Sequence, residues 1–120
     1  MTPYVGPENV LPRDPSEAEL WAAWGDQSDP AAREQLVLLH LPYARTVAAR
    51  MFAARSALGV EFADFYQLAC VGLLEAMDRY DLQRGVPFRV FSLPRIEGSV
   101  LNGLQRLSEL SEQLSLRRRI

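Results

Sequence analysis

Residues Asp64 to Asp81 read D-F-Y-Q-L-A-C-V-G-L-L-E-A-M-D-R-Y-D. Within them Phe65, Leu68, Ala69, Gly72, Leu73, Ala76, Met77 and Tyr80 recur at helical spacing, so one face of a helix is apolar from end to end. That stripe predicts a core-facing helix and says nothing about function. The opposite face carries Asp64, Gln67, Val71, Leu74, Glu75 and Asp78. A surface that docks on another helix carries apolar anchors ringed by charged residues, as Val71 and Leu74 would be here. The same two side chains could instead pack under another part of the chain, since isolated exposed aliphatics are ordinary. Both readings stand at this point.

With 120 residues the chain is sized for one domain. Hydrophobic residues make up 48%, long helical periods dominate and few runs look like buried strands, which predicts an all-α helical bundle. No apolar run approaches the ~20 residues of a membrane span. The start, M-T-P-Y-V-G-P-E-N-V, lacks the basic and apolar segments of a secretory signal. One cysteine permits no internal disulfide and fits a reducing cytoplasm. Cys70 reads as a structural thiol or a docking-face residue. His40, the only histidine, supports no histidine-based metal cluster and reads as a satisfied or solvated side chain.

The net charge of −2 argues against indiscriminate nucleic-acid binding, but it is unevenly spread. Residues 61 to 82 carry five acids against one arginine, while residues 83 to 120 carry seven arginines against three glutamates. An acidic helix and a basic tail suit different partners. Every cation is arginine, which a base-composition bias of the source genome explains.

Taken in order, residues 1–13 hold Pro3, Pro7 and Pro12 without periodicity and read as a mobile tail. Asp14-Pro15-Ser16-Glu17 then opens a helix, with Asp14 as cap and Pro15 at the first turn, running through Leu20, Trp21 and Trp24 to stop near Gly25. The two tryptophans fit core or groove packing better than base stacking. Asp29-Pro30 repeats the start signal. Leu36, Leu39, Tyr43, Val47, Arg50, Met51 and Ala54 mark an amphipathic helix that Pro42 should split into segments of about 30–40 and 42–57. Arg45, Arg50 and Arg55 read as a solvated edge, and Gly59 as the stop. After the central helix, Asp81 to Pro87 form a tight connector with Gly85 available for a left-handed backbone. A last helix starts near Phe88 and carries Phe91, Leu93, Ile96, Val100, Leu101, Leu104 and Leu107. The core domain is thus expected over 14–107. Residues 108–120, with Leu110, Leu114 and Leu116, form an extension that is either a helix needing a partner or frayed.

No glycine-rich phosphate loop, Cys/His metal spacing or nucleophile–histidine set is present, so the chain reads as neither an enzyme nor a cofactor binder. Asp64, Glu75, Asp78 and Asp81 fit a solvated acidic face better than a metal site. For nucleic acid, the segment 84–95 interleaves Arg84, Arg89 and Arg95 with Phe88 and Phe91, the composition of a single-strand platform. Phe88 and Phe91 as core with an arginine rim is the competing reading.

Two runs carry a resemblance. The central stretch, followed by L-Q-R-G-V-P-F-R-V-F-S-L-P-R-I-E-G, resembles region 2 of bacterial RNA polymerase sigma factors, closest to the flagellar type with its R-Y-D-x-x-R-G-x-x-F and R-I-x-G-x-x-L-x-x-L runs. The likeness covers roughly Arg33 to Leu104, with both motifs in order, and flagellar-type members have a short helix where Asp14–Gly25 stands. It implies a helix docking on a coiled coil of the polymerase clamp through Asp64, Gln67, Leu68, Cys70 and Leu74, to which the reading of the outer face adds Val71. Asp64, Gln67 and Leu74 fit the pattern, whereas Leu68 and Cys70 stand where housekeeping members have an acid and an amide. It also implies contact with the promoter −10 element through Arg84, Phe88, Arg89, Phe91 and Arg95. Against the pattern, Glu97 replaces a basic residue and would repel a phosphate. Asn102 and Gln105 replace an acid and an arginine, and no Trp-bearing basic stretch follows. The expected function is that of a sigma factor-like protein acting on core RNA polymerase in transcription initiation. The alternatives are a regulator docking through the same helix without reading DNA, or a helical adaptor; an anti-sigma or other protein is a further expected partner.

Overall fold

In the computed structural model, which describes residues 14–55 and 59–119, the chain forms α1 (Glu17–Gln27), α2 (Pro30–Ala54), α3 (Phe62–Arg79) and α4 (Phe88–Arg119), with a 3-10 turn at Leu82–Arg84 before α4. No strand occurs among the described residues, so the all-α expectation holds. The tail expected at 1–13 lies outside them.

Helix α1 is capped by Ser16, not Asp14. The Ser16 hydroxyl accepts from the Glu19 amide at 3.2 Å and the Glu19 carboxylate accepts from the Ser16 amide at 3.1 Å. This reciprocal box satisfies two otherwise orphaned donors, which a cap at Asp14 would not. The helix also passes Gly25 and ends at Gln27, closed by Ser28 in the left-handed region at φ 51°.

Asp29 caps α2 as its sequence suggests, accepting from the Ala31 amide at 3.0 Å with Pro30 in the first turn. Pro42, however, does not divide the helix, which runs unbroken from Pro30 to Ala54. Pro42 and Leu38 are both exposed, so the Leu38 carbonyl that loses its amide partner faces water. Ala32, Leu36 and His40 before the proline bury against the same core as Ala44, Val47, Ala48 and Met51 after it. That shared burial outweighs a local cost of about 3 kcal/mol. The buried row passes through His40 and Ala44, leaving Leu39, expected in the stripe, 49% exposed. The helix stops at Arg55, ahead of Gly59, and residues 56–58 of the expected second segment are not among those described.

Helix α3 lies between α2 and α4 and packs on both. Its stripe is buried as read, with Phe65, Leu73 and Met77 fully enclosed. At Gly72 the backbone of α4 comes close: a Cβ built there would lie 2.7 Å from the Arg95 carbonyl oxygen and 2.7 Å from Ile96 Cα. The Ser99 hydroxyl then donates to the Leu68 carbonyl at 2.7 Å, fixing the register of the two helices. In the connector, Asp81 accepts from the Gln83 amide at 3.0 Å and Gly85 adopts φ 74°, the left-handed turn anticipated for it. Beneath the connector Trp21, His40, Tyr80 and Phe88 make an aromatic cluster, with His40–Phe88 centroids 4.6 Å apart and Trp21–Phe88 4.9 Å. His40 Nε2 lies 2.6 Å from Glu17 Oε1, so the buried histidine is satisfied.

Pro94, in the second turn of α4, leaves that helix intact. Ile96, Val100 and Leu104 bury, whereas Leu101 and Leu107 are 43% and 42% exposed, against expectation. From Gln105 to Arg117 every residue of α4 is exposed, and the helix projects from a molecule measuring 83 × 34 × 23 Å.

Gly72→Ala is expected to destabilise the fold by about 2 kcal/mol, because the close helix contact must open. Gly98→Ala, also inside a helix but with nothing within 4 Å, is expected to stabilise by about 1 kcal/mol. Urea unfolding midpoints for the two variants check the contrast.

Candidate functional site

The helix that seals the core on one side leaves a ridge on the other. Asp64, Gln67, Val71, Glu75 and Asp78 are exposed along α3, Val71 by 48%, and Leu74 is half-buried at the centre. Val71 is not packed under another part of the chain, whereas Leu74 is partly covered by it, so neither is sealed inside the fold. Asp78 at the end of the ridge accepts from Arg33 Nε at 3.3 Å, and the Arg33 guanidinium lies 5.5 Å from the Trp24 ring centre. This latches α2 to α3 and leaves the acids at Asp64 and Glu75 to the solvent.

Two residues expected on the ridge sit differently. Leu68 is half-buried at the seam with α4, its side-chain carbons so close to Gly103 that a Cβ there would meet Leu68 at 2.2 Å. It serves the helix contact first. Cys70 is half-buried beside Tyr66; burial pushes its thiol above the ordinary range, and a hydrogen bond from Tyr66 partly opposes the shift. Burial likewise raises the Tyr66 phenol. No group of three His, Cys, Asp or Glu among the described residues is placed to hold a metal ion.

The basic segment does not form one face. Positions 88, 92 and 96 of α4 point into the core, and Phe88 is only 5% exposed. Phe88 is therefore a core residue, corrected from the platform expected for it, because the aromatic cluster under the connector takes up its ring. Arg89 and Phe91 fall on opposite flanks, as two residues turn a helix by about 200°. On one flank Arg79, Tyr80, Arg84, Phe91 and Arg95 line a groove of about 260 Å³. There the Arg95 guanidinium lies 4.8 Å from the Phe91 ring centre, and Tyr80 and Phe91 centroids are 5.4 Å apart. Such a groove offers cations for phosphates and half-buried rings for unstacked bases. Arg84 is 3.7 Å from Asp81, an exposed pair worth little. On the other flank Arg89 stacks over Tyr43, its guanidinium 5.2 Å from the ring centre, and its carbonyl accepts from the Tyr43 hydroxyl at 3.3 Å. Arg79 was not among the expected residues. Its signal was the R-Y-D run, where a basic residue directly precedes Tyr80.

A family model described as sigma-70 region 2 matches residues 36–109. The RNA polymerase sigma-G factor of Bacillus subtilis (strain 168) is 33% identical over 92 residues, covering 77% of this chain and 34% of that protein. The sigma-F factor of Kitasatospora aureofaciens is 34% identical over 76 residues, 63% of this chain and 24% of that protein. The sigma factor FliA of Salmonella typhimurium, of the flagellar type, is 36% identical over 66 residues, 55% of this chain and 27% of that protein. The matches thus span between about a quarter and about a third of each of these relatives.

At pH 8 Cys70 is expected to react with iodoacetamide more slowly in the native chain than in the same chain in denaturant, since burial keeps the thiol protonated. Mass spectrometry of the alkylated fraction over time checks this, and the difference should close as the pH rises past the shifted value.

Proposed function

We propose a role from a plain premise: this chain belongs to the sigma-70 region 2 family. The protein docks on core RNA polymerase through the outer ridge of α3 and contacts the promoter −10 element during transcription initiation, as a non-enzymatic factor in the bacterial cytoplasm. The observation that carries this reading is the ridge of exposed Gln67 and Val71 with half-buried Leu74 at its centre, on a helix whose other side is sealed. Full burial of an exposed aliphatic side chain supplies about 1.5–3 kcal/mol, and covering the part of Val71 and Leu74 still in water supplies a fraction of that from each. The surrounding Asp64 and Glu75 suit a partner carrying cations, and the clamp coiled coil expected from the resemblance is the proposed one. Cys70 sits at the edge of this contact, while Leu68 supports it from the seam.

For DNA, the groove of Arg84, Phe91 and Arg95, joined by Arg79, is the proposed site of an unpaired strand, with Arg89 adding charge on the far flank. Phe88 contributes by anchoring the first turn of α4.

A second reading, a regulator that docks on polymerase without reading promoters, is favoured by one specific observation. Glu97 is exposed, and α4 beyond Leu104 presents leucines to solvent with no aromatic residue among them.

The two readings separate on mixing the chain with core polymerase and a fluorescent −10 non-template oligonucleotide. Salt-sensitive capture of the oligonucleotide by the complex is the outcome expected here; core binding without capture favours the regulator. Leu74→Asp is expected to weaken core association at least tenfold, about 1.4 kcal/mol, with unchanged helicity. Loss of helicity in that variant would instead mark Leu74 as structural. Glu97→Arg is expected to tighten oligonucleotide binding several-fold at low salt, as a repulsive charge becomes a phosphate partner.

A further inference from the structure

Helix α4 beyond Leu104 carries a second apolar row. Leu107, Leu110 and Leu114 recur there in steps of three and four and stand 42–52% exposed, with nothing over them among the described residues. Exposed Arg106 and Arg117 close the two ends of the row, and neither makes an ion pair among the described residues. At about 100° per residue Glu109 and Glu112 fall on the far side of the helix, where Glu109 accepts from Gln105 at 3.4 Å. The row is therefore apolar in the middle and basic at its ends. The ridge of α3 has the complementary pattern. Asp64, Gln67, Val71 and Leu74 follow the same steps of three and four, with solvent-facing acids at Asp64 and Glu75. Eleven positions separate Asp64 from Glu75 and eleven separate Arg106 from Arg117, ~16 Å along each helix.

We propose that the row at residues 106–117 of one copy docks antiparallel on the α3 ridge of a second copy of this chain. Laid this way, the two helices match layer for layer: Leu107 on Leu74, Leu110 on Val71, Leu114 on Gln67 and Arg117 on Asp64, with Arg106 level with Glu75. A pair of these rows has no such match. Side by side in parallel they set Arg117 on Arg117, and antiparallel with Leu110 on Leu114 they bring Arg106 toward Arg117. The row also runs away from its own α3, which meets α4 at Gly72 and Gly103, so the ridge it reaches is another molecule's. Each copy offers one row and one ridge, which makes the contact heterologous. On the reading that core polymerase takes the same ridge, polymerase and a second copy compete for it.

The test is static light scattering of the free chain from about 10 µM to about 1 mM, the range for a contact of only three helical turns. The mass is expected to rise with concentration above that of one chain. Leu110→Asp/Leu114→Asp on the row and Val71→Asp on the ridge should each move that rise at least tenfold higher in concentration. All three positions are exposed, so helical circular dichroism should not change. Arg117→Glu and Asp64→Arg should each weaken association by about threefold, and the two together should restore it. A mass that stays at one chain throughout overturns the proposal. So does a drop in the row variant with none in Val71→Asp, or a charge exchange that restores nothing. Core binding is measured separately, and Leu110→Asp/Leu114→Asp should retain it. Core binding without self-association overturns this inference alone, whereas self-association without core binding supports it and removes the polymerase reading of the ridge.

Discussion

The close approach of α3 and α4 at Gly72 is the constraint on which the rest depends. With no side chain between them, the backbone of Arg95 and Ile96 rests directly on α3. That contact decides which half of α3 faces inward, and so which half faces out. Phe65, Leu73 and Met77 are enclosed because Gly72 lets α4 close over them, and Val71, next to Gly72 in the chain, is turned outward by the same geometry. The Ser99–Leu68 hydrogen bond then prevents sliding along the seam. The outer ridge of α3 follows from the packing, since a helix held this tightly on one side can present only its remaining side.

The same contact organises the basic residues. Once Ile96 is pressed against α3, Phe88 and Ser92 must also face the core, and the residues between them are sorted onto two flanks. The aromatic cluster around Phe88 locks the start of α4 against α1 and α2, with the Glu17–His40 pair at its edge. The connector is closed above it by the Tyr80 hydroxyl donating to the Val86 carbonyl. The surfaces proposed for protein and for nucleic acid thus lie on different sides of one helical unit, in keeping with the opposite charges of the two segments.

Much of this was legible in the sequence where period and local chemistry agree. The α3 stripe, the Asp29-Pro30 start and the left-handed turn at Gly85 each follow from residues within a few positions of one another. The failures share a cause, which is tertiary packing overriding a local rule. Pro42 promised a break, yet both halves of α2 bury against the same core and the helix stays whole. Asp14-Pro15 resembled a cap, but Ser16 and Glu19 satisfied more donors. In the segment 84–95, arginines and phenylalanines alternate along the chain, a composition that suits a platform without fixing which side chains share a face. On a helix, alternation separates them. No periodicity in α4 alone could have revealed that the Arg89 carbonyl would accept from the Tyr43 hydroxyl of α2.

The projection of α4 beyond Leu104 has a consequence for how the protein moves in water. Its radius of gyration is 20.5 Å, against roughly 14 Å for a compact chain of this length. A body so elongated experiences more friction than a sphere of equal mass. It elutes early from a sizing column and tumbles slowly about its short axes even when strictly monomeric. Apparent size from hydrodynamics therefore overstates the number of subunits, and light scattering is the measure of association that shape does not distort.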